Sequence, residues 1–312
     1  MASSTTRYRN IMGKTTTVNT LSRTLEGTSP GSKEAATAIQ AYWDNQRAQA
    51  FEAFESARAP FAYLKQLSEI ADETVAAIWQ QCTQKETGPW ALVATGGYGR
   101  RELYPYSDLD LLLLHSGDPK PLEPQLQGLL HALWNLKLRV GHACRTPREC
   151  ADLAREDHSI ATALLDARLI CGNKNLFGSL RQDLKIWHEA ADKKQFIEAK
   201  LAERAQRLEK FGRSRFLLEP NVKEQAGALR DLHTLYWLAR RNYQVKRVSE
   251  LVRLGVLQPR EYQHFRRAHH FLAIVRILLH QGAGRADDRL TFDRQQQLAS
   301  WLGFRHDDAR RP

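Results

Sequence analysis

Two carboxylates, Asp108 and Asp110, stand one residue apart, shortly after a cluster of small residues, Gly96-Gly97-Tyr98-Gly99. The apolar run Ala91-Leu92-Val93-Ala94 precedes the glycines and reads as a short buried strand that stops at them. Leu109 to Leu114 reads as a second strand, opened by the two acids. Side chains alternate along a strand, so Asp108 and Asp110 project from one face. Two hard oxygen donors side by side suit Mg²⁺ carrying the phosphates of a nucleotide. Glycines let backbone N–H groups reach phosphate oxygens with no Cβ in the way. A bare D-x-D is usually a solvated strand end; the Gly96-Gly97 pair and the flanking strands point to a metal site. Other phosphate motifs are absent. Glu102 stands where a dinucleotide fingerprint beginning at Gly97 needs a small residue, and no G-x-x-x-x-G-K-[ST] occurs.

Helical spacing surrounds this unit. Ile39, Tyr42, Trp43, Phe51 and Phe54 mark one helix between Ala35 and Arg58, and Phe61, Leu64, Leu67, Ala71, Val75, Ile78 and Cys82 mark a second after Pro60. Beyond the acids, Pro119, Pro121 and Pro124 open a helix with Leu126, Leu129, Leu130 and Leu133 on one face. Leu136-Lys137-Leu138-Arg139-Val140 alternates strictly and predicts a third strand, ended by Gly141, with Asn135, Lys137 and Arg139 on its polar face. After Pro147 the pattern is helical, near 159–171, 174–190, 193–216, 225–243, 259–281 and 293–302, the last with Asp293 as its N-cap. The expected class is α+β: a disordered basic Ser/Thr-rich tail over 1–31, helices over 32–88, a small mixed-sheet core over 89–150 and an all-helical domain over 151–312.

Composition narrows the function classes. The longest apolar run, around Leu109–Leu114, is far short of a membrane span. The four cysteines form no C-x-x-C pair, which fits a reducing cytoplasm. His142 and Cys144 lie two apart without a second ligand pair, so packing is the better reading for them. A net charge of +11 admits a polyanion or a triphosphate as partner. Trp79, Trp134, Trp187, Trp237 and Trp301 sit in apolar helical patterns, as for core packing rather than base stacking, so nucleic acid is not the expected partner. The tail has no signal-peptide core and no amphipathic face.

The run from Ala94 through Asp110 resembles the glycine-rich signature of the bacterial PII uridylyltransferase/uridylyl-removing enzymes, within the DNA polymerase β-like nucleotidyltransferases. Further matches follow in the family's order: Leu138 to Thr146, Glu219 to Glu224 with Gly227 to Asp231, and Arg285 to Asp293. The resemblance implies a nucleotidyltransferase core in the mixed sheet and transfer of UMP from UTP to a tyrosine of the nitrogen-regulatory PII protein, releasing pyrophosphate. It implies Mg²⁺ on Asp108 and Asp110. Gly96, Gly97 and Ser107 would hold the β- and γ-phosphates, and Lys223 and Arg230 would close on the triphosphate from the helical domain. Three departures stand out. Arg101 replaces a common glycine, Ala226 and Ala228 replace a proline and a glycine, and Asn135 occupies the expected place of a third carboxylate. An amide there cannot accept the nucleophile's proton. The family continues into a phosphohydrolase and glutamine-sensing domains, whereas His306-Asp307 is an isolated pair here; uridylyl removal and glutamine sensing are not expected of this chain. Two alternatives remain open: an RNA nucleotidyltransferase, and a catalytically weak module that binds nucleotide or a partner protein.

Overall fold

The computed structural model describes residues 20–84, 88–190, 192–212, 214 and 216–304. His306-Asp307 and the first nineteen residues of the expected tail lie outside the described residues. The centre is a four-stranded mixed sheet in the order β3-β2-β1-β4. Its two inner strands are β1 (Trp90–Ala94) and β2 (Leu109–His115), paired antiparallel with Ala94 opposite Leu111. Both faces of these strands are covered, which is why they read as continuous apolar runs. Leu92, Ala94, Leu109, Leu111 and Leu113 point into the larger core, while Ala91, Val93, Leu112 and Leu114 point into a smaller one on the opposite face. The period of two divides the two cores.

The larger core is closed by helices. α1 (Thr20–Thr24) leads to α2 (Lys33–Ala57), which begins at Ser32, whose side chain accepts from the Ala35 N–H. α3 (Pro60–Cys82) buries Leu64, Leu67, Ala71, Val75 and Ile78 of the stripe its spacing predicts, while Phe61 at its start is exposed and Cys82 at its end only partly buried. Leu21 and Leu25 are buried in this core, so the segment 20–25 is packed structure and not part of a disordered tail. One turn of helix, α4 (Gly96–Gly99), follows β1, and α5 (Glu123–Asn135) crosses from β2 to its parallel neighbour β3 (Val140–Arg145). On the opposite face lie α6 (Pro147–Glu156), α7 (His158–Leu165) and α8 (Lys174–Ala190), with β4 (Arg168–Gly172) between α7 and α8. α9 (Lys193–Phe211), α10 (Leu229–Tyr243), α11 (Glu250–Arg253), α12 (Pro259–Ala283) and α13 (Phe292–Leu302) complete the described chain. No helix among the described residues is long and apolar enough to cross a membrane.

Several expectations are corrected. Leu136–Val140 is not a strand: α5 runs to Asn135, Lys137 takes the left-handed conformation at φ 57°, and the third strand starts only at Val140. The Lys137 N–H donates to the Trp134 carbonyl and the Leu138 N–H to the Leu133 carbonyl, a Schellman-type helix end. Part of the expected helix 159–171 is strand β4. The N-cap of α13 is Thr291, with Asp293 inside the first turn. Trp79, Trp187 and Trp237 are buried, but Trp134 is half exposed on α5.

Gly99 shows how tightly the centre is closed. A Cβ there would stand 2.2 Å from the Asp166 carbonyl oxygen and 2.9 Å from that of Ala94. Gly99→Ala must therefore push backbone apart, and thermal or urea unfolding should show a loss of about 1–3 kcal/mol or more. A melting temperature equal to that of the unaltered chain would show that α4 is not pressed against Asp166.

Candidate active site

The chain turns sharply at the end of β1. Gly96 has φ 56°, a conformation that favours glycine. The Thr95 N–H donates to the Asp110 carbonyl at 3.0 Å, tying the start of α4 to β2. The two acids then face a cavity of about 450 Å³ whose lining includes Gly96, Gly97, Ser107, Asp108 and Asp110. Lys223 and Arg230 line the same cavity. Seven of the eight residues singled out in the sequence are thus brought together.

Asn135 is not. It ends α5 and lines a separate cavity with Ile39, Cys82 and Gly128. The expectation that it replaces a third carboxylate is withdrawn, because that expectation rested on a strand phase the helix end removes. The residue beside the acids is Arg139, whose Nε lies 2.7 Å from Asp108 Oδ1. Its carbonyl accepts from the Leu109 N–H at 2.8 Å, which fixes it at the edge of the site.

Asp110 is held between two glycines. A Cβ at Gly96 would sit 3.0 Å from its Oδ2, and a Cβ at Gly141, its partner across β2 and β3, would sit 2.9 Å from its Oδ1. On its Cβ side, Gly96 thus also makes room for a carboxylate. Burial pushes the Asp110 carboxyl up, and the Asp108 charge adds to the shift. Two acids that repel each other, with both oxygens of one left room by glycine, are a donor set that fits a hard divalent cation. The chemistry of the residues matches Mg²⁺.

The opposite wall is cationic. Asn221 Oδ1 accepts from the N–H groups of Lys223 and Glu224, and the Arg230 N–H donates to the Lys223 carbonyl, so this loop is folded on itself. The Val222 N–H donates to the Asp288 carbonyl and the Leu290 N–H to that of Pro220, tying the loop to the segment after α12. Glu224 stands 3.6 Å from Lys223 Nζ and 3.2 Å from Arg230 Nη2. Asp231 is taken instead by Arg204 and Arg207. Burial lowers the Lys223 ammonium, and the charges of Arg276 and Arg230 lower it further. Crowded cations of this kind are stabilised by an anion between them.

Sequence reasoning missed several lining residues. Arg100 lies within the glycine motif and donates from Nη1 to Asp166 at 2.6 Å and from Nε to Glu102 at 3.2 Å. Arg276, on α12, pairs with Asp288 at 2.7 Å and faces the cavity. Its only sequence signal was the Arg285–Asp293 match that contains its partner. Arg101, where a glycine was expected, has φ 63° and pairs with Glu69, so the left-handed backbone persists without the glycine.

Comparison with known proteins agrees with this region. Residues 195–312 match the family model described as GlnD PII-uridylyltransferase. A bifunctional uridylyltransferase/uridylyl-removing enzyme of Erythrobacter litoralis is 41% identical over 238 residues, covering 75% of this chain and 26% of the relative. Enzymes of the same description from Ruegeria pomeroyi and Cereibacter sphaeroides are each 44% identical, over 71% of this chain and 24% of theirs. The chain spans about a quarter of the length of these relatives.

Arg139 and Asp108 form an exposed pair, with side chains 64% and 53% accessible. Such pairs are typically worth about 0.2–1 kcal/mol. Arg139→Ala should therefore tighten divalent-cation binding by up to about fivefold, as titration calorimetry with Mn²⁺ would measure. Affinity in both forms should rise with pH, because Asp110 must lose its proton before it binds. Equal affinities would show that Arg139 does not compete for Asp108.

Proposed function

We propose that this chain, a member of the PII-uridylyltransferase family, transfers UMP from UTP to a tyrosine hydroxyl of a PII-type signalling protein and releases pyrophosphate. The observation that carries the reading is one cavity with acids on one wall and crowded cations on the other. A metal-bound triphosphate has the complementary arrangement, with its cation toward Asp108 and Asp110 and its terminal oxygens toward Lys223 and Arg230. Mg²⁺, when bound, neutralises phosphate charge and aligns the attacking and leaving oxygens. Gly96, Gly97 and Ser107 supply backbone and hydroxyl donors to the β- and γ-phosphates. Lys223 and Arg230 balance the charge that develops on departing pyrophosphate, with Glu224 keeping both in place. The bond formed joins the tyrosine oxygen to the α-phosphorus, and the bond broken frees pyrophosphate. The preference for UTP rests on family membership.

A second reading is supported by Arg139. With its guanidinium on Asp108, the chain binds nucleotide and transfers UMP slowly.

Incubation with α-labelled UTP, Mg²⁺ and PII separates the two: labelled PII supports transfer, and bound nucleotide without label on PII supports the second. Asp108→Asn and Asp110→Asn should each lower transfer by about 10²-fold or more with unfolding unchanged, as expected when a charge-stabilising group is lost. Rates close to those of the unaltered chain in either variant would remove the metal from these acids. Equal use of ATP and UTP in competition would move the reading to a different nucleotidyl donor.

A further inference from the structure

Behind the cavity, Glu102, His233 and His269 converge from three separate elements: the segment after α4, helix α10 and helix α12. One oxygen of Glu102 and one ring nitrogen of each histidine all lie within 4.8 Å of one another. His233 is 8% exposed, and its Nε2 sits 3.4 Å from Glu102 Oε2 without the alignment of a hydrogen bond. The Nε2 atoms of His233 and His269 are both buried and have no hydrogen-bond partner. Buried polar atoms are nearly always paired, so two unpaired imidazole nitrogens around one carboxylate call for an explanation.

We propose that Glu102, His233 and His269 form a zinc site, distinct from the Asp108–Asp110 pair, with its fourth position open to the cavity. Two imidazoles and one carboxylate are a ligand set that zinc uses with a water in the remaining position, whereas Mg²⁺ prefers oxygen donors alone. Zinc–nitrogen bonds of about 2.0–2.1 Å place tetrahedral ligands about 3.4 Å apart. Glu102 and His233 already have that spacing, and rotation of the His269 side chain closes the rest. Imidazole ligates zinc through an unprotonated ring nitrogen, and the Nε2 atoms of both histidines are buried and free of other partners.

The charges around the site set its strength. Arg100 Nε lies 3.2 Å from Glu102 Oε2 and opposes a second cation there. Its Nη1 is engaged by Asp166 at 2.6 Å, which offsets part of that repulsion. Glu102 and His233 both line the cavity, so the open position faces the space assigned to the nucleotide. A metal here would pin α10, which carries Arg230, and α12, which carries Arg276, to the segment following the glycine motif. The cationic wall would then keep its distance from the acidic one. The inference does not depend on which nucleotide the cavity takes.

The test uses the full chain, stripped with a chelator and titrated with Co²⁺ and then Zn²⁺. The expected result is one equivalent of Co²⁺ with the intense visible bands of four- or five-coordination, displaced by Zn²⁺. His269→Ala and His233→Ala should each weaken binding by more than the roughly 10–100-fold that losing an outer partner of a metal ligand costs. Cys144→Ala and Asp110→Asn should retain the cobalt spectrum, which rules out the His142–Cys144 segment and the acidic pair as its source. Circular dichroism checks that each variant is folded. If His233→Ala unfolds, imidazole nitrogen shifts in the unaltered chain serve in its place, and zinc should move those of two histidines. Weak six-coordinate cobalt bands, or undiminished affinity in His269→Ala, would overturn the proposal.

Discussion

A single buried carboxylate ties the site to its surroundings. Asp166 stands at the end of α7 with its side chain fully inaccessible, and three groups donate to it: Arg100 Nη1 at 2.6 Å, Arg240 Nη1 at 2.8 Å and Trp237 Nε1 at 3.1 Å. Arg100 comes from the glycine motif, and Arg240 and Trp237 come from α10. The backbone of the same residue is what excludes a side chain at Gly99. Asp166 therefore sets both the closeness of α4 to the end of α7 and the direction of Arg100. An ion pair this deep adds little net stability when complete, but removing one partner strands a charge and costs about 3–5 kcal/mol. Its value here is geometric, because Arg100 in turn holds Glu102 near His233.

The two walls of the cavity come from different parts of the chain. The acids stand on the sheet, which is rigid because both its faces are packed. The cations stand on the loop that carries Lys223 and on helices α10 and α12, which carry Arg230 and Arg276. That loop is fixed by its own hydrogen bonds and by the strip after α12, where Asp288 accepts from Arg276 and contacts His280 at 3.1 Å. Arg276 and the His280 ring hold the Asp288 carboxyl well below the usual carboxylate range, so this anchor stays charged wherever the chain is folded near neutral pH. Opposite charges held apart by two frameworks leave a gap whose walls complement a ligand of alternating charge.

Much of this was legible in the sequence, and the failures have definite causes. The helices α2 and α3 and strands β1 and β2 showed because each is buried with a clean period. The third strand was misplaced because α5 ends on Lys137 in a left-handed conformation that glycine usually supplies. Without that glycine, Leu136 to Val140 looked like an alternating strand. β3 itself is half exposed, and β4 is an edge strand whose apolar run is only Leu169-Ile170-Cys171, too short to show a period. Lys223 and Arg230 were found only through their motif. Glu102, His233 and His269 were not found, since 131 positions separate the first from the second and 36 the second from the third, with no short spacing to read.

The weak pattern of β3 and the open space around Asp110 share one physical origin. Asp110 needs open space at both oxygens if a cation is to reach it, so the residue across the sheet from it has to lack a side chain. Gly141 fills that requirement, at the cost of a weaker strand pattern in β3. Beside it, the long cationic side chain of Arg139 reaches Asp108. The same edge thus clears room for a metal at one acid and sets a competing charge at the other. Because that competing pair is exposed and weak, a triphosphate bound as proposed would tip the balance, its charge drawing a cation to the acids and leaving Arg139 free to turn toward water.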